Sequence, residues 1–162
     1  MFDVAPDGWS WSRYSVRRDG QVVARLTFRA MREAGDIVVD GERHEVRRER
    51  AGGGRWLLRP VIEGAPGRAV AVAEKPSAWR HRFVVRAPGR STALHVQRPS
   101  ALRRTYEVRE ADRVIGRLRQ VSMWRRRISV DLPDDLPPQV QVFVVWLVLL
   151  LFRRDDSAAA AS

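Results

Sequence analysis

Residues 134–154, DDLPPQVQVFVVWLVLLLFRR, decide how the rest of the chain must be arranged. From Val140 to Phe152 every residue but Gln141 is apolar; two acids and two prolines come before, Arg153-Arg154 after. Acids and proline in front with arginines behind is the order that helix termini and the macrodipole favour. The β-branched content would admit a strand, but thirteen residues exceed the usual strand length. The run reads as a helix over about 137–153. A helix apolar on every side must be surrounded on every side, by protein or by lipid. At about 1.5 Å per residue the run covers roughly 20 Å, short of a hydrocarbon core near 30 Å. Lengthening it drags in Asp134-Asp135 or Arg153-Arg154. The expectation is a buried central helix, with a short tail anchor as the alternative.

What surrounds such a helix stands before it. From Trp9 to Asp131 the chain reads as short strands separated by turns. Asp19-Gly20 and Asp40-Gly41 are hairpin dipeptides, and Pro66-Gly67, Pro88-Gly89 and Ala111-Asp112 occupy equivalent gaps. Eleven strands follow, at about 12–17, 22–29, 36–39, 43–49, 55–61, 68–73, 80–86, 91–97, 103–110, 114–121 and 126–131. Strands at such regular spacing make a barrel or sandwich. Part of the series repeats: Tyr14-x-Val16-Arg17, four residues, then Val22-Val23-Ala24-Arg25-Leu26 has the spacing of Tyr106-x-Val108-Arg109, four residues, then Val114-Ile115-Gly116-Arg117-Leu118. Each copy reads as a hairpin with Tyr, Val and Leu inward and Arg17, Arg25, Arg109 and Arg117 outward. Ala24 and Gly116 take the same inward position, where small side chains would let the helix approach. Burying the helix at about 1.5–3 kcal/mol per side chain contributes roughly 20–40 kcal/mol before chain entropy is subtracted.

Tyr106-Glu107-Val108-Arg109 with Val114–Leu118, then Ile128-Ser129-Val130-Asp131-Leu132-Pro133, then Val140–Phe152 resemble the tubby-like superfamily, in its phospholipid scramblase and LURP-one-related branch. That resemblance implies a mainly β fold, a closed antiparallel barrel of about twelve short strands around one buried C-terminal helix. The chain divides into an N-terminal segment 1–8, one barrel domain 9–154 and a tail 155–162, expected to be disordered because Ser157–Ser162 is nearly all alanine. Family scramblases also carry an acidic calcium segment before the central helix, but here Trp124, Arg125, Arg126 and Arg127 occupy the positions of its first ligands. Arginine cannot ligate a hard cation that wants several oxygens. Asp131, Asp134 and Asp135 remain, read as a helix cap before a metal site, so no metal and no cofactor are expected. The lipid-attached cysteines of some relatives have no counterpart, because the chain contains no cysteine.

The other chemistry is thin. Cysteine-free sequence excludes disulfides, thiolate metal sites and Cys nucleophiles. His44, His81 and His95 lie on different strands without metal spacing, and Gly52-Gly53-Gly54 lacks the Lys-Ser/Thr of a phosphate loop. Met1 to Gly8 has no apolar core of a signal peptide. The charge is more informative: 30 basic against 19 acidic residues give +11, and all the basic residues but Lys75 are arginine. Arginine for lysine, with no asparagine, is also what GC-rich coding produces, so part of the charge is compositional. What remains draws the chain to phosphate-rich partners. Arg103, Arg104, Arg125, Arg126 and Arg127 are the candidate lipid- or phosphate-binding residues, since guanidinium binds phosphate bidentately and Trp124 suits a membrane interface. The alternative for them is a solvated outer face. The reading is a non-enzymatic, monomeric, cytoplasmic module, peripheral at anionic phospholipid without calcium. Its rivals are a nucleic-acid-binding β-barrel, which needs exposed aromatics among the arginines, and a small-molecule carrier or enzyme.

Overall fold

The computed structural model describes residues 1–9, 11–29, 33–50, 53–76, 81–100, 104–122 and 126–160. Its strands are β1 (Phe2–Pro6), β2 (Arg13–Arg18), β3 (Gln21–Phe28), β4 (Gly35–Val39), β5 (Glu42–Arg48), β6 (Arg55–Ile62), β7 (Ala65–Pro66), β8 (Ala71–Glu74), β9 (Arg82–Arg86), β10 (Leu94–Gln97), β11 (Thr105–Glu110), β12 (Arg113–Ser122) and β13 (Arg127–Asp131), followed by helix α1 (Pro138–Ala160). Each strand pairs antiparallel with the next, β6 passing over β7 to β8, and β13 returns to β1. The result is a closed barrel of twelve strands, with β7 as an extra strand on β6.

The closure rests on β1, which the sequence reading left as an N-terminal segment. Phe2 and Val4 point inward and are buried, and Val4 pairs with Val16 on one side and Ile128 on the other. Only two inward side chains carry that signal, too few to mark a strand by alternation. The turns divide the barrel into two ends. Tight turns gather at the proximal rim, where α1 begins. Asp19-Gly20 and Asp40-Gly41 have positive φ at both residues, 52° and 80°, then 51° and 80°, the type I′ geometry whose twist matches the strands it joins. The third such turn is Glu63-Gly64, not Pro66-Gly67: Pro66 pairs with Val61 in β7. The longer connections, apart from that between β9 and β10, lie at the opposite, distal rim.

The two repeat copies fold alike to the detail of a bulge. In β2–β3 the register shifts after Val16, leaving Val23 as the extra residue; in β11–β12 it shifts after Val108, leaving Ile115. Both bulged residues are half-buried against the core. The role expected of Gly116 changes. A Cβ there would lie 2.6 Å from the Asp131 carbonyl oxygen and 2.7 Å from Leu132 Cδ2, so the glycine clears the segment leaving β13 and not the helix.

Inside, Val140 through Phe152 are buried without interruption. Trp146 is fully buried, stacks on Phe28 at 4.7 Å, and donates from Nε1 to the Thr27 carbonyl at 3.2 Å. Gln141 is the polar exception, and it serves the preceding turn: its amide nitrogen donates to the carbonyls of Leu136 (2.7 Å) and Pro133 (3.3 Å). Pro137 accepts from the amides of Val140 and Gln141, and Pro138, lacking an N–H, loses nothing as the first helical residue. The acids expected to cap this helix do something else. Asp134 pairs with Arg18 at 3.4 Å and Asp135 with Arg90, both across the proximal rim. At the other end α1 continues through Ala160, so the segment expected to be a disordered tail from 155 is the last helical stretch.

Candidate functional site

The final turns of α1 put the residues Arg153-Arg154-Asp155-Asp156 into the distal rim. Successive helical side chains point about 100° apart, because a turn takes about 3.6 residues, so four in a row address the whole circumference. Arg153 donates to the Trp11 carbonyl at 2.5 Å and lies over the Phe28 ring at 4.6 Å. Arg154 donates from Nε to Glu33 at 2.7 Å and lies over Trp56 at 5.5 Å. Asp155 accepts from Arg98 at 3.3 Å and faces His81 at 3.5 Å. Asp156 faces Arg126 at 2.9 Å and Arg104 at 3.7 Å. The helix is thus tied to the rim in four directions, by both signs of charge.

This arrangement sorts the candidate arginines. Arg103 and Arg125 lie outside the described residues. Arg104 and Arg126 are brought together, but on Asp156; Arg104 also donates to Gln120 at 3.1 Å and Arg126 lies over the Trp11 ring at 3.9 Å. Their charge faces the protein's own helix. Arg127 differs: it points into solvent on β13, as Arg13 does on β2, and neither has an ion pair among the described residues. The sequence could not show this partition, because Asp155 and Asp156 lay in a stretch read as a tail. The histidines divide too, with His44 buried inside the barrel and His95 beside Arg82 at 2.5 Å. Burial, then the charges of Arg82 and Arg86, push His95 below its ordinary range.

Two of the spaces that open at this rim are lined by described residues. One, lined by Tyr14, Gln120, Arg126, Ile128, Phe152 and Asp156 among others, measures about 10 Å³, room for one water. The other is a shallow cleft of about 310 Å³ between Phe28, Arg29, Glu33, Leu150, Arg153 and Arg154. Its cations are engaged: Arg29 with Asp36 and Glu45, Arg154 with Glu33, and Arg153 with Trp11. Among the described residues no three His, Cys, Asp or Glu side chains could hold a metal ion, and no helix is long and apolar enough to cross a membrane.

Beneath the rim sit Tyr14 and Tyr106, equivalent positions of the repeat. Both hydroxyls are buried and have no hydrogen-bond partner among the described residues. Burial raises both phenols; at Tyr14 the charge of Arg126 pulls partly back, and at Tyr106 Asp155 adds to the rise. The unfolded chain releases these protons near the ordinary value of about 10, before the folded chain does. Folding stability is therefore unaffected below that value and falls as pH climbs past it. Tyr14→Phe with Tyr106→Phe is expected to leave neutral-pH stability almost unchanged and to flatten the alkaline loss. Urea midpoints between pH 8 and pH 11 check this; an unaltered alkaline slope in the double variant would contradict it.

No protein-family model, curated protein or solved structure matches the chain.

Proposed function

We propose that the protein is a non-enzymatic module of tubby-like, LURP-one-related type that binds anionic phospholipid surfaces peripherally and without calcium. One observation carries the reading: α1 occupies the barrel's bore along thirteen buried residues, Val140–Phe152, so the place a carrier would hold its ligand is taken by the chain. Recognition is left to the outside, where a net charge of +11 favours phosphate-rich surfaces. Calcium independence follows from the chemistry of residues 124–127, which offer arginine where hard-cation sites need oxygen.

The test is co-sedimentation with vesicles of phosphatidylcholine alone or with phosphatidylserine added. Binding is expected only with the anionic lipid, unchanged by calcium or chelator. It should weaken sharply as salt shortens the screening length from about 10 Å at 0.1 M to about 3 Å at 1 M. Equal binding to neutral vesicles, or none to anionic ones at low salt, overturns the reading. Charge alone could produce binding anywhere on the surface, so a charge-matched comparison is needed. Arg13→Gln with Arg127→Gln changes the distal side, Arg17→Gln with Arg113→Gln the proximal. A larger loss in the first pair is expected.

A further inference from the structure

We infer that the protein meets an anionic bilayer end-on, through the β12–β13–β1–β2 sector of its distal rim, with Trp9 as the inserted side chain. This rests on the lipid reading above and adds to it a site and an orientation. Among the described residues, Trp56 and Trp146 are fully buried, whereas Trp9 is 99% exposed and Trp11 45%. Both stand in the connection between β1 and β2, whose ends are joined by the Asp7 amide donating to the Arg13 carbonyl at 2.9 Å. β1 runs toward the distal rim between β13 and β2, so the sheet fixes what flanks the loop. On one side β13 begins with the exposed Arg127, and beside it Val121, half-exposed, is the extra residue where the β12–β13 register shifts. On the other side β2 begins with the exposed Arg13. Arg126, over the Trp11 ring, holds that indole in place.

The occupant follows from charge and shape. A fully exposed indole flanked by guanidinium groups that have no ion pair among the described residues complements a surface that is apolar inside and anionic at its face. Asp156 in this sector is already taken by Arg126 and Arg104, and Asp7 accepts from Ser15 Oγ at 2.5 Å, so acidic repulsion is muted. Buried apolar area and electrostatic attraction to anionic lipid are the two contributions that set the strength of interfacial binding.

Trp9→Ala tests the orientation without changing net charge. The control is Ile62→Ala, which removes an apolar side chain 62% exposed at the proximal rim. Against vesicles containing phosphatidylserine, Trp9→Ala should weaken binding about tenfold, equal to about 1.4 kcal/mol, with an unchanged melting temperature, while Ile62→Ala binds like the parent. Tryptophan emission of the parent should shift to the blue on binding and be quenched by lipids brominated near the headgroup; both responses should shrink in Trp9→Ala. If the parent binds anionic vesicles and Trp9→Ala binds equally well, the orientation is wrong and the lipid reading survives. If the parent binds no vesicle, both fall. If Trp9→Ala weakens binding to a single-stranded oligonucleotide but not to vesicles, the rim is a nucleic-acid surface and the inference is overturned.

Discussion

Leu147→Arg is expected to abolish cooperative folding. Leu147 is fully buried in the middle of α1, and all twelve barrel strands face inward on that helix, so the charge has neither water nor a partner to reach. A buried unpaired charge costs several kcal/mol, against a typical net stability of about 5–15 kcal/mol. The longer side chain also overpacks a filled core, at typically about 1–3 kcal/mol. Ending the chain before Pro138 should be worse, since the barrel then closes on an empty bore. Thermal denaturation followed by near-UV circular dichroism reads both changes. A truncated chain that still melts in one sharp transition would mean that the strands make their own core.

Gly35→Ala is expected to be nearly as damaging, although it adds one methyl group. An ideal Cβ at Gly35 would sit 1.8 Å from the Thr27 carbonyl oxygen and 2.8 Å from Trp146 Nε1. The first neighbour is backbone in a paired strand and cannot swing away, so β3 and β4 must separate where Phe28 meets Gly35. The second is the indole that donates to that same carbonyl, so its hydrogen bond goes too. Overpacking costs typically about 1–3 kcal/mol and an orphaned buried polar group about 1–3 kcal/mol more. At about 2–4 °C per kcal/mol for a chain of this size, the melting temperature should fall by roughly 5–20 °C. Trp146→Phe alone should cost less. In the Gly35→Ala background it should cost almost nothing further, because the hydrogen bond it removes is already broken. Additive losses would show that Gly35 and Trp146 act independently.

The contrast between these two positions marks how far the sequence can be read. Leu147 belongs to an uninterrupted apolar run, and such a run permits few arrangements, so the central helix and closed β architecture follow from it. The repeat was legible for a similar reason: identical spacing around Asp19-Gly20 and Ala111-Asp112 carries an identical bulge. Gly35 gives no such signal, because its importance lies in the distance between Thr27 and Trp146, 119 residues apart in sequence. β1 escaped notice because Phe2 and Val4 alone carry its inward face. The site was less legible still. Arg104 and Arg126 look alike in sequence to Arg127, yet a carboxylate on the helix claims two of them and leaves the third to solvent. Asp155 and Asp156 precede a run of alanines, and composition there speaks of a tail while the rim's arginines hold it as helix.

Amide hydrogen exchange on the full-length protein tests most directly the claim that α1 is the core of the barrel and not a segment resting in it. The amides of residues 142–152 should exchange only through global unfolding, with an opening free energy equal to that of the inward-facing strands β2, β3, β11 and β12. Exchange of those helix amides through a lower-energy opening, while the strands stay protected, would mean that the barrel stands without its helix and would contradict the account.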